Sequence, residues 1–476
     1  MLTHLEDCTQ IPACYNLAMK SLLVHTPQLC HNKDTGEFSS NINFCAMGLY
    51  SLAKEIEKEG IESEIIHLGI EKYLNPKFLL SEYINEQNIK FVAFSLHWHP
   101  QSYDVIEMAK IVKEKCPQTF ITLGGFTASY FAQEIMENYP FIDSIIKGEG
   151  EIPIRELAEK IVNNDENLST VPNLFWRKNR EIVHNSNTFV ATDEDLNSFT
   201  FFDIKKMKNF NSYAKIPFHL EYNKKNQLNN QPMSSQGICL GRGCTGNCTW
   251  CGGGHYATQK VTGRNFISYR NPDEIIKEIK MLKSECKIEN FRFAFDPHPK
   301  NRACLMTLLE KIEKEFEGNL TTMFTLNGLP DKNFLEAYSK AFSKNSVISI
   351  SPEFYDEKLR KKHKTFYYSN SELEEILEYM DKLEIHSELY FSTLPITTDQ
   401  DNKDSDRYGK LLQRKYKCVE KYYLIPITYE PAAPWTINPE KFGINFVPKK
   451  FAEYRMNTTN VALSFENPVF LATKEL

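Results

Sequence analysis

Two stretches of this 476-residue chain alternate short apolar runs with helical stripes, and that alternation restricts the fold more than any other feature. In the first stretch, Ser21–Thr26, Ser63–Leu68, Phe91–Ser95, Phe120–Leu123 and Ser144–Lys147 read as buried strands. Helices are expected between and after them, at Phe44–Glu59, Phe78–Asn85, Tyr103–Lys115, Ala128–Asn138 and Ile152–Asn163. The first of these carries Met47, Leu49, Leu52, Ala53 and Ile56 at helical spacing and stops at Gly60. Strands separated by helices pair in parallel and need cover on both faces. Such open sheets hold ligands at the carboxyl ends of their strands. Gly124-Gly125 and Gly148-Glu149-Gly150 fall at such ends.

The second stretch repeats the pattern. Gln236–Leu240, Asn290–Phe295, Thr321–Leu326, Ser346–Ile350, Ser387–Phe391 and a sixth run, Tyr423–Ile427, read as strands. Leu305–Glu313 and Ser371–Leu383 read as helices, and Asn271-Pro272 caps the start of another. Repeated β/α units with polar strand ends describe a full or partial barrel. Between the stretches, Asn173–Arg177 and Glu181–His184 form an expected hairpin, Phe201–Lys208 a short helix, and residues 223–231 a polar break. The expected order is a first domain over 1–195, a linker over 196–232, a barrel over 233–427 and a proline- and aromatic-rich extension over 428–476.

Chemistry concentrates in Cys239-Leu-Gly-Arg-Gly-Cys244-Thr-Gly-Asn-Cys248-Thr-Trp-Cys251-Gly-Gly-Gly254. Three thiolates at this spacing can hold three irons of a cubane and leave the fourth open, and sulfur is the soft ligand such clusters need. The flanking glycines let the backbone wrap the cage closely. A zinc site with Cys239 or His255 as fourth ligand is the alternative. A disulfide framework is disfavoured, because the 12 cysteines are scattered without pattern.

Composition excludes other classes. A formal net charge of −6 with interspersed signs leaves no electrostatic footprint for nucleic acid. No run approaches the roughly 18 apolar residues a membrane span requires, and Met1 to Lys20 lacks the apolar segment of a signal peptide. A soluble, reduced, cytoplasmic protein is expected. The basic run Lys358–Lys364 reads as a solvated helix face.

The cysteine motif, with Trp250 before the third cysteine, resembles that of the radical S-adenosylmethionine (SAM) enzymes. Phe91–Ser95, Ile121–Gly125 and Ile145–Glu151, in that order, resemble the cobalamin-binding domain that precedes the radical domain in one large subclass, over about residues 20–165. The resemblance implies an α/β protein: a Rossmann-like, flavodoxin-like cobalamin domain, a partial (β/α)6 barrel and a small C-terminal extension. It implies three cofactors: a [4Fe–4S] cluster on Cys244, Cys248 and Cys251, SAM, and cobalamin. Ser95, His97, Gly124, Gly125, Gly148, Glu149 and Gly150 become candidates for cobalamin contact. Ser351, Glu353 and Arg360 become candidates for SAM, and Asp296 for SAM or the substrate. One departure is that no Asp-x-His-x-x-Gly is present, the nearest segment being His67-Leu68-Gly69, so the group below cobalt stays open; His97 and His99 are either cofactor contacts or ordinary loop histidines. The family's chemistry implies a radical formed from SAM, and methyl transfer to an unactivated carbon is the leading expectation. Cyclisation, rearrangement and a non-catalytic Fe–S or zinc protein are the competing readings. A small-molecule or peptide substrate and an external electron donor such as flavodoxin or ferredoxin are the implied partners.

Overall fold

The computed structural model describes residues 20–31, 38–41, 43–75, 77–213, 220–221 and 236–456. The amino-terminal segment and the polar break at 223–231 lie outside them.

The first domain is built on a seven-stranded sheet: β1 (Lys20–His25), β4 (Glu62–His67), β5 (Phe91–Ser95), β6 (Phe120–Gly124), β7 (Ser144–Ile146), β8 (Leu174–Lys178) and β9 (Glu181–His184). Its spatial order is β4-β1-β5-β6-β7-β8-β9. The first five strands are parallel and β8 and β9 join antiparallel. Counting the parallel strands along the chain gives 2-1-3-4-5, the flavodoxin-like order with its switch point between β1 and β5. β5 is the middle one of the five parallel strands and all five of its residues are buried, as a strand covered on both faces requires. A small second sheet joins β2 (Gln28–His31), β3 (Phe38–Asn41) and β10 (Leu220–Glu221); no sequence signal pointed to it.

The second domain has six parallel strands in chain order: β11 (Gln236–Ile238), β14 (Asn290–Phe293), β15 (Thr321–Leu326), β16 (Val347–Glu353), β17 (His386–Thr393) and β18 (Val419–Pro426). β11 and β18 are not paired among the described residues, so the barrel is partial. A two-stranded ribbon, β12 (Gly241–Arg242) and β13 (Ser268–Tyr269), brackets the cysteine loop.

Several boundaries differ from expectation. The helix expected over 128–138 is two helices, Phe126–Tyr130 and Ala132–Asn138, which meet at Phe131. The expected helix at 201–208 is a single 3-10 turn over Ile204–Lys206. β16 does not stop at Ile350 but runs through Ser351-Pro352-Glu353, with a register shift against β17. The helix Asp399–Lys415 carried no apolar stripe to read: Ser405, Tyr408, Gly409 and Leu412 face inward and the rest is mostly charged or polar.

Candidate functional site

The cysteine loop leaves the barrel after β11 and is held from three sides. Asn247 donates its backbone N–H to Thr365 Oγ1 at 2.7 Å, and Thr249 donates to the His363 carbonyl at 3.0 Å. Trp435, fully buried in the extension, donates its backbone N–H to the Thr249 carbonyl at 3.0 Å. Gly252 lies under the extension so closely that a Cβ there would stand 2.9 Å from the Pro431 carbonyl. Trp250 is buried edge-on against Phe354, 5.9 Å between centroids, which ties the loop to the end of β16.

Each of the three thiols accepts one backbone N–H: Cys244 from Gly246 at 3.2 Å, Cys248 from Thr365 at 3.4 Å and Cys251 from Gly253 at 3.3 Å. Burial pushes the Cys251 thiol up to about 12 and raises Cys244, and repulsion among the sulfurs adds to both. A loop that disfavours bare thiolates yet aims a donor at every sulfur fits ligands whose charge is shared with metal. Among the described residues no three His, Cys, Asp or Glu side chains meet at the spacing of a single ion. Zinc needs ligands converging at about 2.0–2.3 Å, whereas a cubane takes its sulfurs at separate corners. The residues present fit an iron–sulfur cage.

Between the two domains lies a cavity of about 730 Å³. The first domain contributes Ser95, His97, Gly124, Gly125, Gly148, Glu149 and Gly150, so all seven cobalamin candidates share one wall system. The barrel contributes β11, the β12 ribbon and Arg264. Gly125 has φ +102°, and a Cβ there would stand 2.8 Å from His97 Cα; only glycine lets the 96–97 backbone pass. Thr127 Oγ1 donates to the His97 carbonyl at 3.0 Å and fixes that loop. His97 lines the cavity and is exposed to it, and desolvation by the surrounding protein lowers its imidazole to about 4, which favours the neutral ring. His99 points elsewhere: it is buried, lowered by burial to about 3, and its Nε2 lies 3.3 Å from Thr428 Oγ1. The volume, the largely apolar walls and the glycine cradle fit a large flat cofactor entering at strand ends.

Glu149 has a second engagement that sequence reasoning missed. Arg264 forks onto both its oxygens at 2.6 and 2.9 Å, and Arg242 reaches Oε2 at 2.8 Å. Arg242 also meets Glu151, whose Oε1 accepts from Ser51 Oγ at 3.1 Å. Burial works against the Glu149 carboxylate, but the two guanidiniums win and hold it below the usual range. Arg242 stands two residues before Cys244, so this clasp joins the first domain's glycine loop to the cysteine loop.

The four SAM candidates do not line this cavity. Glu353 adopts φ +66° at the bulge in β16, a conformation uncommon for a side-chain-bearing residue. It accepts from Ser392 Oγ and lies 3.6 Å from Lys364 Nζ. Ser351 is half-buried at the same strand end. Asp296 is not free for a ligand: Arg302 forks onto it at 3.0 and 2.9 Å, and Asn327 N–H donates to it at 3.0 Å. Arg360 is likewise a brace and not a carboxylate clamp. It is fully buried, donating to the carbonyls of Pro352, Phe354 and Tyr368 and to Asn370 Oδ1. Cys239, also buried, faces the cavity and not the cysteine loop.

Residues 43–158 match the B12 binding domain family and residues 238–408 match the Radical SAM superfamily. The chain is a B12-binding radical SAM protein. Its cofactors are therefore a [4Fe–4S] cluster, SAM and cobalamin. An uncharacterized methyltransferase of Pyrococcus horikoshii is 21% identical over 45% of this chain and 41% of its own length. The anaerobic magnesium-protoporphyrin IX monomethyl ester cyclase of Synechocystis is 22% identical over 44% of this chain and 37% of its own length. The chain thus spans less than half the length of these relatives. The radical SAM methyltransferase TsrM of Kitasatospora setae shares the fold, with a TM-score of 0.63 at 15% identity over 90% of this chain and 77% of that one. No helix among the described residues is long and apolar enough to cross a membrane.

Proposed function

We propose that this B12-binding radical SAM enzyme transfers a methyl group to an unactivated carbon of a small molecule or peptide. The observation that carries the proposal is the cavity between the domains, which opens the first domain's glycine loops toward the barrel that bears the cysteine loop. When bound, the cofactors supply reductive cleavage of SAM and a cobalt-borne methyl donor. The chain's own residues bind and orient. Cys244, Cys248 and Cys251 take three corners of the cluster, with the Gly246, Thr365 and Gly253 amides on their sulfurs. Ser351 and the strained Glu353 are assigned to SAM at the end of β16. Gly124, Gly125, Gly148 and Ser95 receive cobalamin, and the neutral His97 ring, open to the cavity, contacts it. Glu149 acts through the clasp. The domain limits taken for this assignment are 1–195, 196–232, 233–427 and 428–476, in a cytoplasmic protein reduced by a flavodoxin or ferredoxin; Cys45, Cys116, Cys239, Cys286, Cys304 and Cys418, like the three of the motif, are free thiols, as a reducing compartment allows.

The second reading, ring formation or rearrangement without methyl transfer, is favoured by the cyclase among the relatives. Product analysis separates the two. The anaerobically reconstituted enzyme, given SAM, cobalamin and reductant, is expected to release S-adenosylhomocysteine. Release of 5′-deoxyadenosine with no S-adenosylhomocysteine would support the second reading instead.

A further inference from the structure

The two faces of the barrel sheet differ in kind. Phe291 and Phe293 of β14, Phe324 of β15, Ile348 and Ile350 of β16 and Leu389 of β17 are buried in the core shared with the helices outside. Alternation along the strands therefore turns Arg292, Thr325, Ser349, Glu388, Tyr390 and Tyr423 into the lumen. A closed barrel of this type fills its lumen with layers of bulky branched side chains. This lumen is lined by hydroxyls, a carboxylate and a guanidinium, and all of these residues except Ser349 keep partial exposure there. Arg292 and Ala294 also line the cavity between the domains, so lumen and cavity are continuous along β14.

Two opposite charges of that lining lack a partner. Of the three arginines on the cavity wall, Arg242 and Arg264 are taken up by Glu149 and Glu151, whereas Arg292 meets no oxygen acceptor among the described residues. Its Nη2 lies 3.3 Å from Met323 Sδ, a weak acceptor, and its Cζ lies 5.4 Å from the centre of the Phe44 ring. Glu388 accepts from the Tyr390 and Tyr423 hydroxyls at 2.8 and 3.2 Å, one on each oxygen, and the two rings stack at 4.8 Å. Among the described residues Glu388 pairs with no cation; Lys421, opposite it in register, is exposed and forms no ion pair with it. Burial and the Glu388 carboxylate push the Tyr390 hydroxyl up and Arg292 opposes them, so carboxylate and guanidinium act on one hydroxyl. Each charge keeps free hydrogen-bonding positions for a ligand group of the opposite sign.

We infer that the substrate is a zwitterion of the amino acid class, whose carboxylate is held by Arg292 and whose ammonium group is held by Glu388. This rests on the reading of the chain as an enzyme acting where its two domains meet, and it narrows the substrate from a small molecule or peptide to an amino acid. The planar fork of arginine matches a carboxylate. A carboxylate whose two oxygens each already accept one hydroxyl still has lone pairs for the N–H donors of a primary ammonium. A neutral amide or an N-acylated compound would leave one of the two protein charges unpaired, and that penalty is what makes the site selective.

The test is calorimetric titration of the reconstituted holoenzyme, saturated with S-adenosylhomocysteine so that any place for the methionyl end of SAM is already filled. The probes are the standard amino acids, β-alanine and 4-aminobutyrate, followed by the carboxamide and the N-acetyl derivative of each one that binds. Expected is saturable binding of at least one amino acid, with its carboxamide and its N-acetyl derivative at least about tenfold weaker. In Arg292→Met the amino acid is expected to fall to the level of its carboxamide, and in Glu388→Gln to the level of its N-acetyl derivative. Both variants are expected to keep the wild-type content of cobalamin and iron. Residues that only shaped the barrel would weaken all probes alike. Saturable binding of no probe, equal binding of an amino acid and its two derivatives, or loss of cobalamin from Arg292→Met would overturn the inference. An amino acid that binds with the expected selectivity but gives no S-adenosylhomocysteine on turnover with SAM would uphold it and defeat methyl transfer instead.

Discussion

At the scale of single residues, the buried clasp of Glu149 with Arg242 and Arg264 sets the strongest constraint. Removing one member of such a network leaves an uncompensated charge in a water-poor place, which costs about 3–5 kcal/mol. Arg264→Met is therefore expected to lower the stability of the cofactor-free chain by that amount in anaerobic urea unfolding, and Arg264→Lys, which keeps the charge but not the fork, by less. Neither Arg264 nor Arg242 could be chosen from the sequence, because their partner lies 115 and 93 positions away. His67 gives a pH dependence. Its Nδ1 accepts the Ile70 N–H at 3.2 Å and its Nε2 donates to the Asn43 carbonyl at 2.8 Å, so the ring is neutral, and burial lowers it to about 4. A histidine near 6.5 when unfolded and lower when folded favours the native state fully above 6.5. That contribution is lost as the pH falls toward 4 and amounts to about 3 kcal/mol. His67→Gln is expected to flatten the acid limb of the stability curve between those values; an unaltered limb would show that other groups set it.

At the scale of elements, the cysteine loop depends on a strap that follows it by more than a hundred residues. Thr365 supplies both an N–H to Cys248 and an acceptor to Asn247. Thr365→Val keeps the backbone donor and deletes the acceptor. The loop is expected to loosen, and the reconstituted cluster to lose iron to a chelator several-fold faster, while Thr365→Ser behaves as wild type. Elements with a clean apolar period were legible: β5, the Gly124-Gly125 turn and the helix after Asn271 stand where the sequence places them. Elements whose inward face is small or polar were not, as in Asp399–Lys415. The break at Phe131 escaped notice because both halves share one apolar stripe. Asp296 and Arg360 show the limit of strand-end reasoning: a charged residue at a strand top serves equally well as a brace, and only its partners distinguish the roles.

At the scale of the whole molecule, two α/β units meet at one cavity, lined by the strand-end glycine loops of the first and by β11, the β12 ribbon and the end of β14 of the second. The cysteine spacing and the strand-end glycines made that pairing legible, because each is a local pattern with its own chemistry. How the units are fastened was not legible, because the fastening uses contacts between distant segments. The proposed assignment puts one cofactor on the first domain's glycine loops and another on the barrel's cysteines, and its defining demand is an iron left open to SAM. Electron paramagnetic resonance of the dithionite-reduced, reconstituted enzyme with and without SAM addresses that demand most directly. Expected is a reduced [4Fe–4S] signal that changes when SAM is added and is lost in Cys248→Ala. A site that binds zinc in place of iron, or a cluster signal indifferent to SAM, would contradict it.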